Sequence, residues 1–286
     1  MFGIDETKRP RWWPSVAVGA GALVLAGIVS NVMLYLIVSP TLGPGQEFGP
    51  EAIDAWMQQN MATPSGFFSM LIPIHLSILL LALLAASRSR TPLAQRLGLV
   101  RGTATLWQYP VLMLSSLGAA AISGWLFLAH ISPGQSDMTL ALAFAQLRGL
   151  DGALIILYTA TLASFSEEML FSGFVLRGLL RRWRPFLAIG LVALLFALIH
   201  PSPFFMLHAL PIGIWGGIIV WRTGSIWPAI ACHSFLNIAL ALLNRWYPEP
   251  TVAFFGELTF WPITVGIFGV LMMVISIRLL FRSGEA

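Results

Sequence analysis

"DGALIILYTATLASFSEEMLFSGFVLRGLLR" (151–181) reads as one continuous apolar helix with two adjacent glutamates, Glu167 and Glu168, in its middle. At a rise of about 1.5 Å per residue it overshoots a hydrocarbon core about 30 Å thick. A charged side chain at the bilayer centre costs about 2.5–3.5 kcal/mol on insertion scales. Two carboxylates at such a depth therefore call for a physical reason.

The rest of the chain supports the membrane reading. Of its 286 residues 57% are hydrophobic and 10% charged, with 11 Trp and 19 Phe, more apolar surface than a soluble domain of this size can bury. The expected fold is all-α, a polytopic bundle of about eight transmembrane helices. The spans fall near 16–38, 66–87, 107–129, 151–181, 186–200, 204–221, 225–243 and 256–281. The fifth is too short to cross a bilayer alone. No loop is long enough for a soluble domain, so residues 1–286 form a single membrane domain. The spans before residue 145 carry no diagnostic motif, and the chemistry-bearing part is 150–245. The first apolar run follows Lys8, Arg9 and Arg11 but outlasts a signal-peptide core, which makes it an uncleaved helix. Cys232 is the single cysteine, which excludes an intrachain disulfide.

Arginine placement sets orientation. Arg88, Arg90, Arg96 and Arg101 follow span 2, Arg177, Arg181, Arg182 and Arg184 follow span 4, Arg222 follows span 6, and Arg278 and Arg282 close the chain. The alternate loops hold Arg148 and Arg245 among Glu47, Glu51, Asp54, Asp137, Asp151 and Glu249. Both termini are then cytoplasmic. The net charge of +4 reports this topology and gives no ground for nucleic-acid binding. Arg in place of Lys, with abundant Ala and Gly, suggests a GC-rich bacterial genome and hence the cytoplasmic (inner) membrane. "EAIDAWMQQN" (51–60) reads as a short amphipathic helix at the outer surface. Gly213 and Gly217 read as a close helix-packing pair.

Ionisable and amide side chains converge at one depth. Counting inward from the arginines, Glu167 lies about 21 Å from Arg181 and His200 about 24 Å from Arg184. His233 and Asn237 lie about 17 and 23 Å from Arg222. All fall in the middle third of the core. His233 and Asn237 are four residues apart and share a helix face. Pro201 and Pro203 break the backbone just after His200, which at membrane depth requires burial in protein or a water-filled cavity. An intramembrane polar cavity is the expectation. His75 and His208 lack polar neighbours at helical spacing and read as packing or cavity lining. His130, at an external helix end, calls for no special role.

"EEMLFSG" (167–173), "FALIH" (196–200) and "HSFLN" (233–237) resemble, in order and spacing, the EExxxR, FxxxH and HxxxN motifs of the CAAX-protease and bacteriocin-processing family of intramembrane endopeptidases. The resemblance implies an all-helical membrane protease in which Glu167 and His200 activate water, Glu168 supports them, and His233 and Asn237 stabilise the oxyanion. Its substrate would be a membrane-associated protein or peptide, cut near the C-terminus or beside the membrane. The chain departs from the pattern at Ser172, where the family has an arginine one turn from Glu168. Glu168 must then be protonated or find a partner elsewhere.

Two chemistries stand open. Glutamate chemistry requires no cofactor, whereas Glu167, His200 and His233 could instead ligate zinc with an open fourth position. No HExxH helix favours the metal. A proton-coupled transporter would also place a Glu/His relay at midplane, although no repeat halves are visible. A non-catalytic scaffold or immunity-type relative is the third class.

Overall fold

A computed structural model describes residues 13–61, 63–126, 131, 148–200, 202–246 and 260–282, the side chains of 244–246, 260 and 282 excepted. Lys8, Arg9, Arg11, His130, Asp137, Pro201 and Glu249 lie outside the described residues, as does the side chain of Arg245.

Among these residues the fold is all-helical. In chain order the helices are α1 (Trp13–Val38), α2 (Pro50–Asn60), α3 (Pro64–Ser87), α4 (Leu93–Leu97) and α5 (Gln108–Leu126). There follow α6 (Gly149–Leu179), α7 (Pro185–Leu198), α8 (Pro203–Thr223), α9 (Trp227–Trp246) and α10 (Phe260–Arg282). Six of them, α1, α3, α5, α6, α8 and α10, are long and apolar enough to cross a membrane, which makes this a multi-pass membrane protein. Helices α7 and α9 are apolar too, but α7, with 14 residues, reaches only about 21 Å. The segment expected at 51–60 is helical, and its Trp56 is buried against Val38, Phe67 and Tyr158.

Burial separates the lipid-facing helices from the central one. Helix α3 turns His75, Ile78, Ala82 and Ala86 inward, whereas Leu76, Leu80 and Leu84 are exposed. That is the single apolar-in, lipid-out division expected of a peripheral span. In α6, 61% of the most apolar window is buried, against 17% in α1 and 22% in α10. Every residue from Met169 to Leu176 is buried. These side chains form the main core with Ala22 of α1, Ile78 and Ala82 of α3, and Ile189 and Val192 of α7. The helix carrying the two glutamates is thus the axis of the bundle.

Glycine allows the closest backbone approaches. A Cβ on Gly118 of α5 would come within 2.6 Å of the Gly269 carbonyl oxygen of α10, so these helices touch main chain to main chain. Gly213 and Gly217 of α8 face Ala193 and Ile189 of α7, the packing role expected of them. Gly98 and Gly224 end α4 and α8 at φ 74° and 70°, the left-handed conformation that favours glycine. Arg177 joins the two ends, donating from Nη1 to Gly224 O at 2.5 Å and from Nη2 to Gln95 O at 3.1 Å.

Candidate active site

Glu167 and Glu168 occupy a single α-helical turn, Ser164–Glu168, set between two π-helical segments, Thr159–Ala163 and Met169–Leu176. A π segment lengthens the backbone hydrogen-bond ring and rotates whatever follows it about the helix axis. Side chains hold the first one open. Ser164 Oγ donates to Thr159 O at 2.9 Å, five residues back. From α9, Asn237 Nδ2 donates to the same oxygen at 3.0 Å and Ser234 Oγ to Ala160 O at 2.5 Å. Asn237 also donates to Ser164 Oγ at 3.1 Å. Helix α9 thereby fixes the turn on which the carboxylates sit, one residue face serving as both clamp and site wall.

The carboxylates are 8% exposed each and are held by histidines from two other helices. His75 Nε2 of α3 lies 3.1 Å from Glu167 Oε1. Its Nδ1 is 2.6 Å from the Tyr158 hydroxyl and 2.9 Å from Leu71 O. A carboxylate only accepts, so Nε2 carries a hydrogen and donates to Glu167; in the neutral ring Nδ1 then accepts from the Tyr158 hydroxyl, and only the imidazolium donates from Nδ1 to Leu71 O as well. His233 lies between the two acids. Its Nδ1 is 3.1 Å from Glu168 Oε1, and its Nε2 is 3.8 Å from Glu167 Oε2. The second separation is too long for a direct hydrogen bond, and a polar gap of that size suits a bridging water. Glu168 Oε2 is buried with no hydrogen-bond partner among the described residues.

His200, just beyond α7, points Nδ1 at the carbonyls of Phe196 (3.1 Å) and Ala197 (3.3 Å). Carbonyls only accept, so the hydrogen sits on Nδ1 and Nε2 presents a lone pair. The Phe196 ring meets both His200 and His233 edge-on, with centroids 5.2 and 5.8 Å away. Glu167 is within electrostatic range of both imidazoles.

The structure therefore brings His233 within hydrogen-bonding distance of Glu168 and within 3.8 Å of Glu167, and sets His200 across one phenyl ring from His233. Asn237, expected to serve an oxyanion, has its amide committed to α6. The partner Glu168 needs in place of the motif arginine is His233, since Ser172 is buried beside it without charge and Arg177 is spent on Gly224 and Gln95. His75 is more than the packing residue its sequence context suggests: with Tyr158 it forms a buried chain ending on Glu167. The ring of polar spacing that would have flagged it is absent from α3, because its partner is 92 residues away. His208 is buried with neither ring nitrogen partnered among the described residues. No group of three or more His, Cys, Asp or Glu among the described residues is arranged to hold a metal ion.

Residues 149–239, about a third of the chain, match the family model described as type II CAAX prenyl endopeptidase Rce1-like. No curated protein and no solved structure matches the chain. The matched segment begins with α6 and ends in α9, so it contains Glu167, Glu168, His200, His233 and Asn237, while His75 lies outside it.

Proposed function

We propose that this chain, which carries a type II CAAX prenyl endopeptidase family domain over residues 149–239, hydrolyses a peptide bond inside the membrane, near the C-terminus or membrane-proximal part of a protein or peptide substrate. The observation that carries the reading is the gap between Glu167 Oε2 and His233 Nε2, 3.8 Å across, with the opposite carboxylate oxygen pinned by His75. One water in that gap donates to Glu167 Oε2. As its oxygen bonds to the scissile carbonyl carbon, Glu167 takes the proton, and it returns that proton to the amide nitrogen as the C–N bond breaks. His200 offers Nε2 as a second acceptor on the same side. His233 donates with both nitrogens, Nδ1–H to Glu168 and Nε2–H to the oxyanion. Asn237 acts as a positioning residue through its hold on Thr159 and Ser164. None of these steps calls on a metal.

In this reading eight helices cross or enter the bilayer with both termini cytoplasmic, and the chemistry lies near midplane in a polar cavity that admits an extended C-terminal tail or the unwound end of a substrate helix. A proton relay in a transporter would need the same carboxylates, yet the family domain favours proteolysis.

Paired glutamine substitutions test the reading, with the full chain in proteoliposomes and a membrane-anchored peptide reporter. Glu167→Gln removes the base and lowers the rate by at least about 10²-fold. Glu168→Gln keeps an acceptor oxygen for His233 Nδ1 and loses only charge assistance, about tenfold. Equal and complete loss in both variants, with both proteins folded, would overturn the division of roles.

A further inference from the structure

Away from the glutamates, the ends of three membrane helices line an open cavity of about 320 Å³. The start of α1 contributes Pro14, Ser15 and Val18, and the end of α3 contributes Ala85, Arg88 and Ser89. Arg96 of α4 and Phe174, Gly178 and Arg181 at the end of α6 complete it. Three of these ten lining residues are arginines and none is acidic.

Arg96 is the informative one. It is only 7% exposed, a degree of burial that a guanidinium rarely reaches without an anion. Its Nη1 donates to Phe174 O at 3.0 Å and its guanidinium carbon lies 3.9 Å over the Phe174 ring. Those contacts orient the group but supply no negative charge. Its charged neighbours are Arg181 and Arg177, and burial first, then these two cations, lower its pKa to about 10. No salt bridge joins Arg88, Arg96 or Arg181 to a carboxylate among the described residues. The segment before α1 is itself net basic, with Lys8, Arg9 and Arg11 against Asp5 and Glu6. Gly178 keeps the floor open, since a Cβ there would clash with Ser15 Oγ and lie 3.2 Å from Arg96 Nη2.

We infer that this cavity is a binding site for a phosphate-bearing anion, with Arg96 at its base and Arg88 and Arg181 at its rim. A phosphate oxygen matches the planar fork of an arginine, and three convergent cations leave little room for a neutral ligand. The position, where membrane helices end, is that of a lipid headgroup, and the apolar wall of Val18, Ala85 and Phe174 leaves a path for an acyl chain. This site is independent of the proteolytic reading.

The test uses the full chain in nanodiscs of phosphatidylcholine, with either phosphatidylglycerol added in the bilayer or inorganic phosphate added in solution. Arg88→Gln/Arg181→Gln is the comparison variant, because both side chains are exposed and their loss leaves the fold intact. Arg96→Gln serves as a second variant if it folds. Phosphatidylglycerol is expected to raise the unfolding midpoint of the unsubstituted protein by about 3 °C, with at least half of that shift lost in the double variant. A shift with inorganic phosphate alone, lost in the same variant, supports the site and assigns it to a soluble phosphate compound. Equal shifts in both proteins, or no shift with either probe, would overturn the inference.

Discussion

His75→Phe removes the hydrogen bond to Glu167 while keeping a ring of similar size in a buried position. The bond spans 3.1 Å and joins a donor to a buried carboxylate, the kind worth about 1.5–3 kcal/mol. If it serves to aim Oε2 at the water, the loss appears in catalysis as a fall of about 10- to 150-fold in kcat/KM. The Tyr158 hydroxyl, 2.6 Å from Nδ1, loses its ring partner in the same variant. Tyr158→Phe alone should therefore cost less than His75→Phe, and the double variant little more than His75→Phe, because the three groups form one chain. The assay is cleavage of a membrane-anchored peptide reporter by the full chain in proteoliposomes across a pH series, with the unfolding midpoint measured beside it. A positioning role predicts an altered pH profile and partial rescue by His75→Gln, whose amide can still donate. A merely structural role predicts an unchanged profile and a loss that tracks stability. Activity of His75→Phe within about twofold of the unsubstituted protein, well under the value of one charge-assisted hydrogen bond, would refute the reasoning.

Strong chelation should leave the activity of the purified protein unchanged, and elemental analysis should find less than stoichiometric zinc; a tightly bound zinc lost together with activity in His233→Ala would replace the glutamate mechanism by a metallopeptidase. Cysteines introduced at Gln95 and at Glu47 should label from opposite faces of the membrane, the native Cys232 being buried, and labelling from one face would overturn the orientation. Gly269→Val should destabilise by about 1–3 kcal/mol through overpacking, since even a Cβ would come within 2.6 Å of the Leu117 carbonyl carbon; a wild-type unfolding midpoint would show that α5 and α10 separate at no cost.

Much of the bundle can be read without coordinates. Helix positions follow from long apolar runs punctuated by arginines, and α1, α3, α6, α8 and α10 lie within a few residues of where those runs place them. Helical rise also converts residue counts into an expected depth for Glu167, His200, His233 and Asn237. Depth, however, says nothing about rotation. The spacing of an ideal α-helix gives no warning that two π segments bracket the glutamates, the first of them held by hydroxyl and amide groups of α9 that capture the carbonyls of Thr159 and Ala160. The number of full crossings shows the same limit, since hydropathy marks α7 and α9 as apolar while their length sets them apart from the six long helices.

What the sequence determined by itself is the chemistry at hand: an apolar chain that must form helices in lipid, and a few costly polar groups in three spaced motifs. Periodicity and hydropathy are local properties, and they suffice for that much. Tertiary structure alone decided the pairing. It gave His233 to both glutamates, supplied Glu168 with an imidazole where the motif arginine is missing, and brought His75 from a helix without diagnostic residues onto Glu167. It also left Arg96 buried among other cations. Each is a contact between groups tens of residues apart, fixed by how helices rotate and pack against one another, and no spacing along a single helix encodes it.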